Sequence, residues 1–342
     1  MAQTNICLNF GETSLKVAVA DSSSNQIEIH NLGFKEDTPN IFEIENEKVL
    51  EESAKAISDL FSQLKIKEKN INIVIPDGYT YSQIIEMPHL KEKELLSAIR
   101  YQADQFIPMP LDETALDLDI LYDDPVGKKL LVLIEAAPQK LIARITQIVE
   151  VAGLLPETIE NELSSLGRLA NQFFSGKSVD SGIIFLNFGF NTSSLYFFDK
   201  KKNLIEDIHT FKNGYNLLLK EAQINTNSDL KRSKEMLKLI GFSANASVNL
   251  GPILTPVLTD LLSEIEKFTL LVKERHKLMK IDNLYMFNMS HNVKDLDKKI
   301  EASFSIPTAN LNLSSYIKKN DIYNIFSTEI PAFISTLGGA IR

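Results

Sequence analysis

Apolar and polar positions alternate along the first thirty residues in three short runs. NICLNF, SLKVAVAD and QIEIHNLGF read as strands over about Asn5–Phe10, Leu15–Ala20 and Gln26–Gly33, joined by tight turns into an antiparallel meander. The period then changes. Leu50, Ala54, Ile57, Leu60, Phe61 and Leu64 recur at helical spacing within Val49–Leu64. Ile71–Ile75 is a short continuous apolar run stopped by Pro76, the pattern of a buried parallel strand.

The stretch Gly78–Gly153 has a different rhythm. Lys91–Phe106 places Leu95, Ile99, Ala103 and Phe106 on one helical face, and Ile107–Pro108 ends it, because a residue before proline is pushed out of the helical region. Leu116–Tyr122 and Lys129–Ala136 read as strands, Pro138–Ala152 as an amphipathic helix closed by Gly153. Leu163–Phe174 is a further helix. From Gly182 the opening pattern returns. LNFG at Leu8–Gly11 recurs at Leu186–Gly189, 178 positions on, again followed by Ser/Thr, a second apolar run and a third after a polar turn. An internal duplication is the simplest account. Helices are predicted at Gly214–Ala222, Ser228–Ile240, Ile253–Lys280, Val293–Phe304 and Ile330–Ile341, with a loop at Asn245–Asn249 and a short strand at Leu284–Phe287. The lobes are expected to be rigid bodies joined at a hinge.

Composition narrows the function. The 342 residues suffice for two substantial cores. A net charge of −9 with scattered Lys and Arg argues against nucleic acid. The run Lys200–Lys202 reads as a solvated turn. The one cysteine, Cys7, sits in the first strand pattern as a small buried apolar residue and points to a reducing compartment. No signal peptide is evident, and no apolar run reaches the roughly 18–20 residues of a membrane span. The five histidines (His30, His89, His209, His276, His291) are dispersed, so no metal site is expected, and no covalent nucleophile is signalled. The acidic stretch Asp117, Asp119, Asp123, Asp124 reads as strand and turn residues.

The repeated turns carry the candidate chemistry. Glycine there lets backbone N–H groups approach an anion, and two facing turns would clasp the phosphates of one nucleotide between two lobes. Asn9 and Asn187 precede the turns where a magnesium-dependent clasp would carry a carboxylate.

Met87–Leu121 (MPHLKEKELLSAIRYQADQFIPMPLDETALDLDIL), Ala152–Ala170 (AGLLPETIENELSSLGRLA) and the ending LGGAIR resemble, in order and spacing, the PilM family of type IV pilus assembly proteins, within the actin-like ATPase superfamily. The resemblance implies an α/β, two-lobed actin-like fold, each lobe ribonuclease-H-like. A small α+β subdomain is inserted in the first lobe and a helical subdomain in the second. The implied units are 1–77 plus 154–181 and the insertion 78–153, then 182–218 plus 281–342 and the helical 219–280. It further implies a protein at the cytoplasmic face of the bacterial inner membrane. Such a protein holds ATP between its lobes and binds the short cytoplasmic N-terminal segment of PilN, a bitopic membrane protein, in a groove near the insertion. Membrane contact comes only through that partner. Other pilus assembly platform proteins are further partners, and a homodimer is left open. Cytosolic parts of type II secretion proteins share the architecture.

Carried over residue by residue, the nucleotide site is uneven. In the first turn Gly11, Thr13, Ser14 and Lys16 match the family, Asn9 replaces its Asp, and Glu12 sets a negative charge where phosphate oxygens should sit. In the second, Gly189, Asn191 and Ser193 follow Asn187, and bulky Phe190 replaces Ala. The family's Gly-Gly pair becomes Asn213-Gly214. After the strand at Leu284–Phe287, Asn288 and Met289 stand where the family has two glycines, and Met289 would intrude on a nucleotide. Losing two charge-assisted contacts costs about 3–6 kcal/mol, roughly 10²–10⁴ in affinity. The expectation is therefore no cofactor or weak magnesium–ATP binding, no bound metal and no hydrolysis. The alternative is an active ATPase whose nucleotide state gates partner binding, with Glu160 or Glu162 supplying the carboxylate and Glu264 and Lys267 lining an adenine pocket. The plain reading of Glu264 and Lys267 is a solvated helix pair.

Ile107, Met109, Pro110 and Leu111 form an apolar, proline-stiffened turn that reads either as a wall of the partner groove or as a plug in the core beneath the helix. A sugar or acetate kinase of the same fold is disfavoured by the inserted block and the lack of an evident catalytic Asp. A cell-division actin homologue is disfavoured because no amphipathic membrane helix follows Arg342.

Overall fold

A computed structural model describes residues 5–23, 26–90, 94–95, 97–99, 107–124, 127–176, 180–243, 249–277 and 279–342. The duplication is plain in the sheets. Strands β1 (Asn5–Phe10), β2 (Ser14–Ser23), β3 (Gln26–Glu36), β4 (Asn70–Ile75) and β8 (Leu155–Asn161) form one sheet in the order β3-β2-β1-β4-β8. Strands β9 (Ser181–Phe188), β10 (Ser193–Asp199), β11 (Leu204–Phe211), β12 (Lys280–Asn288) and β13 (Thr308–Asn310) form a second in the order β11-β10-β9-β12-β13. In each, three antiparallel strands are joined by two parallel ones. Asn9 and Asn187 therefore occupy equivalent places, near the ends of the central strands β1 and β9.

Helix α1 (Glu47–Gln63) starts where the Asn46 side chain accepts a hydrogen bond from the Val49 N–H, and it buries Val49, Ala54, Ile57, Leu60 and Phe61. Helix α2 (Gln139–Val151) packs beside it, sharing a core of Leu141, Ile145, Ile148 and Val149 with Ile6, Leu8 and Ile73. The expected insertion 78–153 ends on this helix. Its last helix has its apolar face on the first lobe, so the inserted sheet is β5 (Tyr81–Pro88), β6 (Thr114–Asp124) and β7 (Lys129–Pro138), ordered β5-β7-β6. The helix expected over Lys91–Phe106 lies largely outside the described residues. Its Leu95 and Ile99 are buried in the insertion's core. The expected loop Asn245–Asn249 also falls mostly outside them.

Helix α3 (Glu162–Phe173) connects the lobes. In the second lobe, α4 (Tyr215–Thr226), α5 (Leu230–Leu239) and the long α6 (Gly251–Arg275) cover one face of the sheet, with α7 (Leu296–Phe304) packing against β13. The chain then returns. α8 (Asp321–Phe326) lies on β3, and α9 (Ile334–Ala340) lies against α3, β1 and β2, so part of 281–342 belongs to the first lobe. Its apolar residues made that return invisible in the pattern. They complete a core shared by both sheets, with Cys7, Leu166 and Leu337 beside Phe185 and Phe287. The expected hinge thus runs through a packed seam. Among the described residues no helix is long and apolar enough to cross a membrane.

Candidate functional site

The turns after β1 and β9 meet across the cleft between the lobes. They wall a cavity of about 330 Å³ lined by Asn9, Gly11, Glu12, Thr13, Ser14 and Lys16 from one side and Gly189, Phe190 and Thr192 from the other. Met289 and Phe333 close its apolar side. The second turn is compact. A Cβ on Gly189 would stand 2.3 Å from the Thr192 carbonyl oxygen, so only glycine fits.

Polar side chains fill the floor. Glu162 begins α3 and is 6% exposed. Its Oε2 accepts from Asn187 Nδ2 at 2.6 Å, and its Oε1 from Ser335 Oγ at 3.3 Å and Asn288 Nδ2 at 3.4 Å. Asn288 Nδ2 also reaches Asn187 Oδ1 at 3.0 Å, while Asn288 Oδ1 accepts from Lys16 Nζ at 2.9 Å. Asp77, at the end of β4, accepts from the Leu163 N–H at 3.0 Å and from the Tyr196 hydroxyl. Burial pushes the Glu162 carboxyl up, with Asp77 adding to it, and pulls the Lys16 ammonium down against the attraction of Glu162. Asn187 is therefore more than a lost acid. Its amide donates to the Glu162 carboxyl, a bond that an ionised aspartate has no proton to make.

Asn288 holds a further signature. Its φ of 68° and ψ of −114° belong to a region that favours glycine, and the side chain's bonds to Lys16, Asn187 and Glu162 compensate. Glu12 does not project into open solvent. It is 4% exposed, and its carboxylate accepts from the Asn191 N–H at 3.0 Å and from the Asn191 side-chain amide. Thus the donors of the second turn already hold an anionic oxygen.

The model of the type IV pilus assembly protein PilM family matches residues 7–342. The chain belongs to the PilM family. Among solved structures, it is similar to one titled as a PilM–PilN type IV pilus biogenesis complex, at 19% identity over 99% of this chain and 98% of that one, with a TM-score of 0.80. It is also similar to the ethanolamine utilization protein EutJ from Carboxydothermus hydrogenoformans (11% identity, 100% and 90% covered, TM-score 0.53) and to MreB 5 of Spiroplasma citri bound to AMPPNP (12%, 99% and 95%, 0.50). These likenesses bear out the actin-like fold.

Other expected site residues of this PilM-family chain scatter. Ser193 Oγ bonds the Asn213 carbonyl at 2.5 Å, and Gly214 caps α4 against the Phe190 backbone. Asn191 reaches the site only through Glu12. Glu264 and Lys267 lie outside the cavity lining. Glu264 binds His209 at 2.7 Å and Lys267 at 2.6 Å, an exposed pair on α6, so the adenine-pocket role is not supported by position. Sequence reading missed Asp77, which follows a proline-stopped strand and resembles any turn acid.

The proline-stiffened turn expected as groove wall or core plug lies in the insertion. Ile107, Met109 and Leu111 pack into the insertion's own core with Leu95, Ile99 and Ile134, and Pro110 is exposed beside them. A larger groove, about 830 Å³, opens instead between the inserted sheet and α3. Ile84, Leu118, Leu121, Leu133 and Ile159 give it apolar walls, Asp117 and Asp119 give it negative charge, and Glu135, Glu160, Arg168 and Arg342 also line it. Arg168 makes two bonds to Glu160, at 2.6 and 3.0 Å, and Arg342 a third at 3.2 Å. Burial pushes the Glu135 carboxyl up to about 7, although Ser164 Oγ donates to it at 2.8 Å.

Proposed function

We propose that this PilM-family protein is a scaffold of the type IV pilus, or a related type II secretion, assembly platform. It binds the extended N-terminal cytoplasmic segment of a PilN-like membrane protein in the groove between the inserted sheet and α3. Its location is the cytoplasmic face of the inner membrane, reached through that partner and other platform proteins. The observation that carries this reading is the groove itself. It has apolar walls over β5 and β6, β6 is an edge strand of its sheet among the described residues, and acids stand among the lining residues. An extended segment with apolar and basic side chains complements both features. Fluorescence polarisation with the tail of a PilN-like protein tests it. Leu121→Asp should weaken binding at least about tenfold, while Met109→Glu should act through folding of the insertion. Equal affinity of a folded Leu121→Asp variant would sink the groove assignment.

In the same reading the nucleotide cleft is degenerate. Its residues do not fit magnesium–ATP well. Amides replace both acids, the Glu12 carboxylate occupies the second turn's donors, and Met289 lines the cavity. Magnesium–ATP at millimolar concentration should leave the unfolding midpoint unchanged, because only a ligand of the folded state raises it. Micromolar binding with turnover would restore the active-ATPase reading.

A further inference from the structure

The lobes touch at three levels of the cleft. At the floor, Glu162 of the first lobe binds Asn187 and Asn288 of the second. At the mouth, Lys234 of α5 pairs with Glu36 at 3.4 Å and Asp37 at 3.1 Å. Between them stands Glu12, at the tip of the first turn. Two donors converge on its carboxylate, the Asn191 N–H at 3.0 Å and the Asn191 side-chain amide, and both come from the opposite lobe. Asn191 is itself fixed, since its Oδ1 accepts from Asn216 Nδ2 at 2.8 Å. The donor set aimed at Glu12 is what a phosphate oxygen would use: a backbone N–H of a glycine turn and a neighbouring neutral donor.

We propose that the Glu12 carboxylate is a tethered anionic ligand of the second turn, occupying its donors in place of a phosphate and holding the lobes closed without nucleotide. The proposal rests on the reading that the cleft does not work as a magnesium–ATP site. A group carried on the chain competes at a high effective concentration, so a free phosphate at ordinary levels loses to it. Closure then becomes a fixed property of the fold.

The test joins a distance to a binding measurement on the full chain. Spin labels at Lys55→Cys and Ile224→Cys, both exposed and on opposite lobes, report lobe separation, while Cys7 is buried and stays unlabelled. The expected result is one narrow distance with Glu12 present and a longer or broader one in Glu12→Ala. Inorganic tripolyphosphate should bind Glu12→Ala at least about tenfold more tightly than the unaltered chain and restore the narrow distance. If Glu12→Ala does not fold, Glu12→Gln, which keeps the shape and loses the charge, should show the same two changes. Unaltered distances together with unaltered tripolyphosphate affinity in the folded variant overturn the proposal and leave the scaffold reading standing. Micromolar magnesium–ATP binding by the unaltered chain removes the degenerate-cleft reading and this proposal with it.

Discussion

At the scale of single residues, an amide at position 187 is a working donor. Asn187 lies 2.6 Å from the buried Glu162 carboxylate, and Asn9 stands at the matching place in the first lobe. Asn187→Asp would set a second acid against Glu162, whose carboxyl burial already pushes up to about 8, and would remove the donating amide. Leaving such a buried acceptor without its donor costs about 1–3 kcal/mol. Urea unfolding at neutral pH should show a loss of about 2 kcal/mol, recovered in part by lowering the pH or adding magnesium. A loss under 0.5 kcal/mol, the range of a neutral surface change, would mean that the amide is dispensable. The sequence displayed both asparagines and their symmetry. It offered Glu160 or Glu162 as the nearby acid without choosing between them, because that choice depends on where α3 starts relative to β9; Glu162 meets Asn187 and Asn288, while Asn9 Nδ2 donates to the Val74 carbonyl.

At the scale of elements, the ending LGGAIR illustrates how function-like motifs serve packing. A Cβ on Gly338 would lie 2.2 Å from the Ser165 carbonyl oxygen, and one on Gly339 would lie 2.5 Å from Cys7 Sγ. The two glycines thus let α9 lie directly on α3 and β1. Arg168 and Ser165 of α3 then donate to carbonyls of the last turns, at 2.6 Å each. Gly338→Ala must push backbone apart and should destabilise the fold by about 1–3 kcal/mol, read as a lower midpoint in thermal unfolding. The meander, the main helices and the duplication were legible because their apolar periods are clean. The missed elements were not. β8 (LPETIEN) is a half-buried edge strand without alternation, β13 has three residues, and β5 follows a turn with mixed polarity. Met109 and Leu111 left two readings open, groove wall or core plug, and they pack against the insertion's small core.

At the scale of the whole molecule, ion pairs gather where the returning C-terminal segment meets the second lobe. Glu329 accepts from His291 at 2.9 Å and Lys238 at 3.2 Å, and the His291 bond foremost holds its carboxyl down at about 2. A carboxyl depressed in the folded state lends stability above its unfolded value near 4.5, and that stability is lost as pH falls towards 2. Acid titration of the unfolding midpoint should therefore fall across this window, with a shallower slope in His291→Ala. Parallel slopes would place the acid sensitivity elsewhere. Two sheets of identical strand order share one central core, so the lobes are coupled through α3 and α9.

The conformation at Asn288 has a consequence for substitution there. Its main chain already follows a path that glycine takes at no penalty, so an exchange to glycine asks nothing new of the strand before it. The same exchange would untie Lys16 and relieve local strain. A single exchange at this position would therefore set a buried ammonium loose in the cleft while the main chain keeps its course.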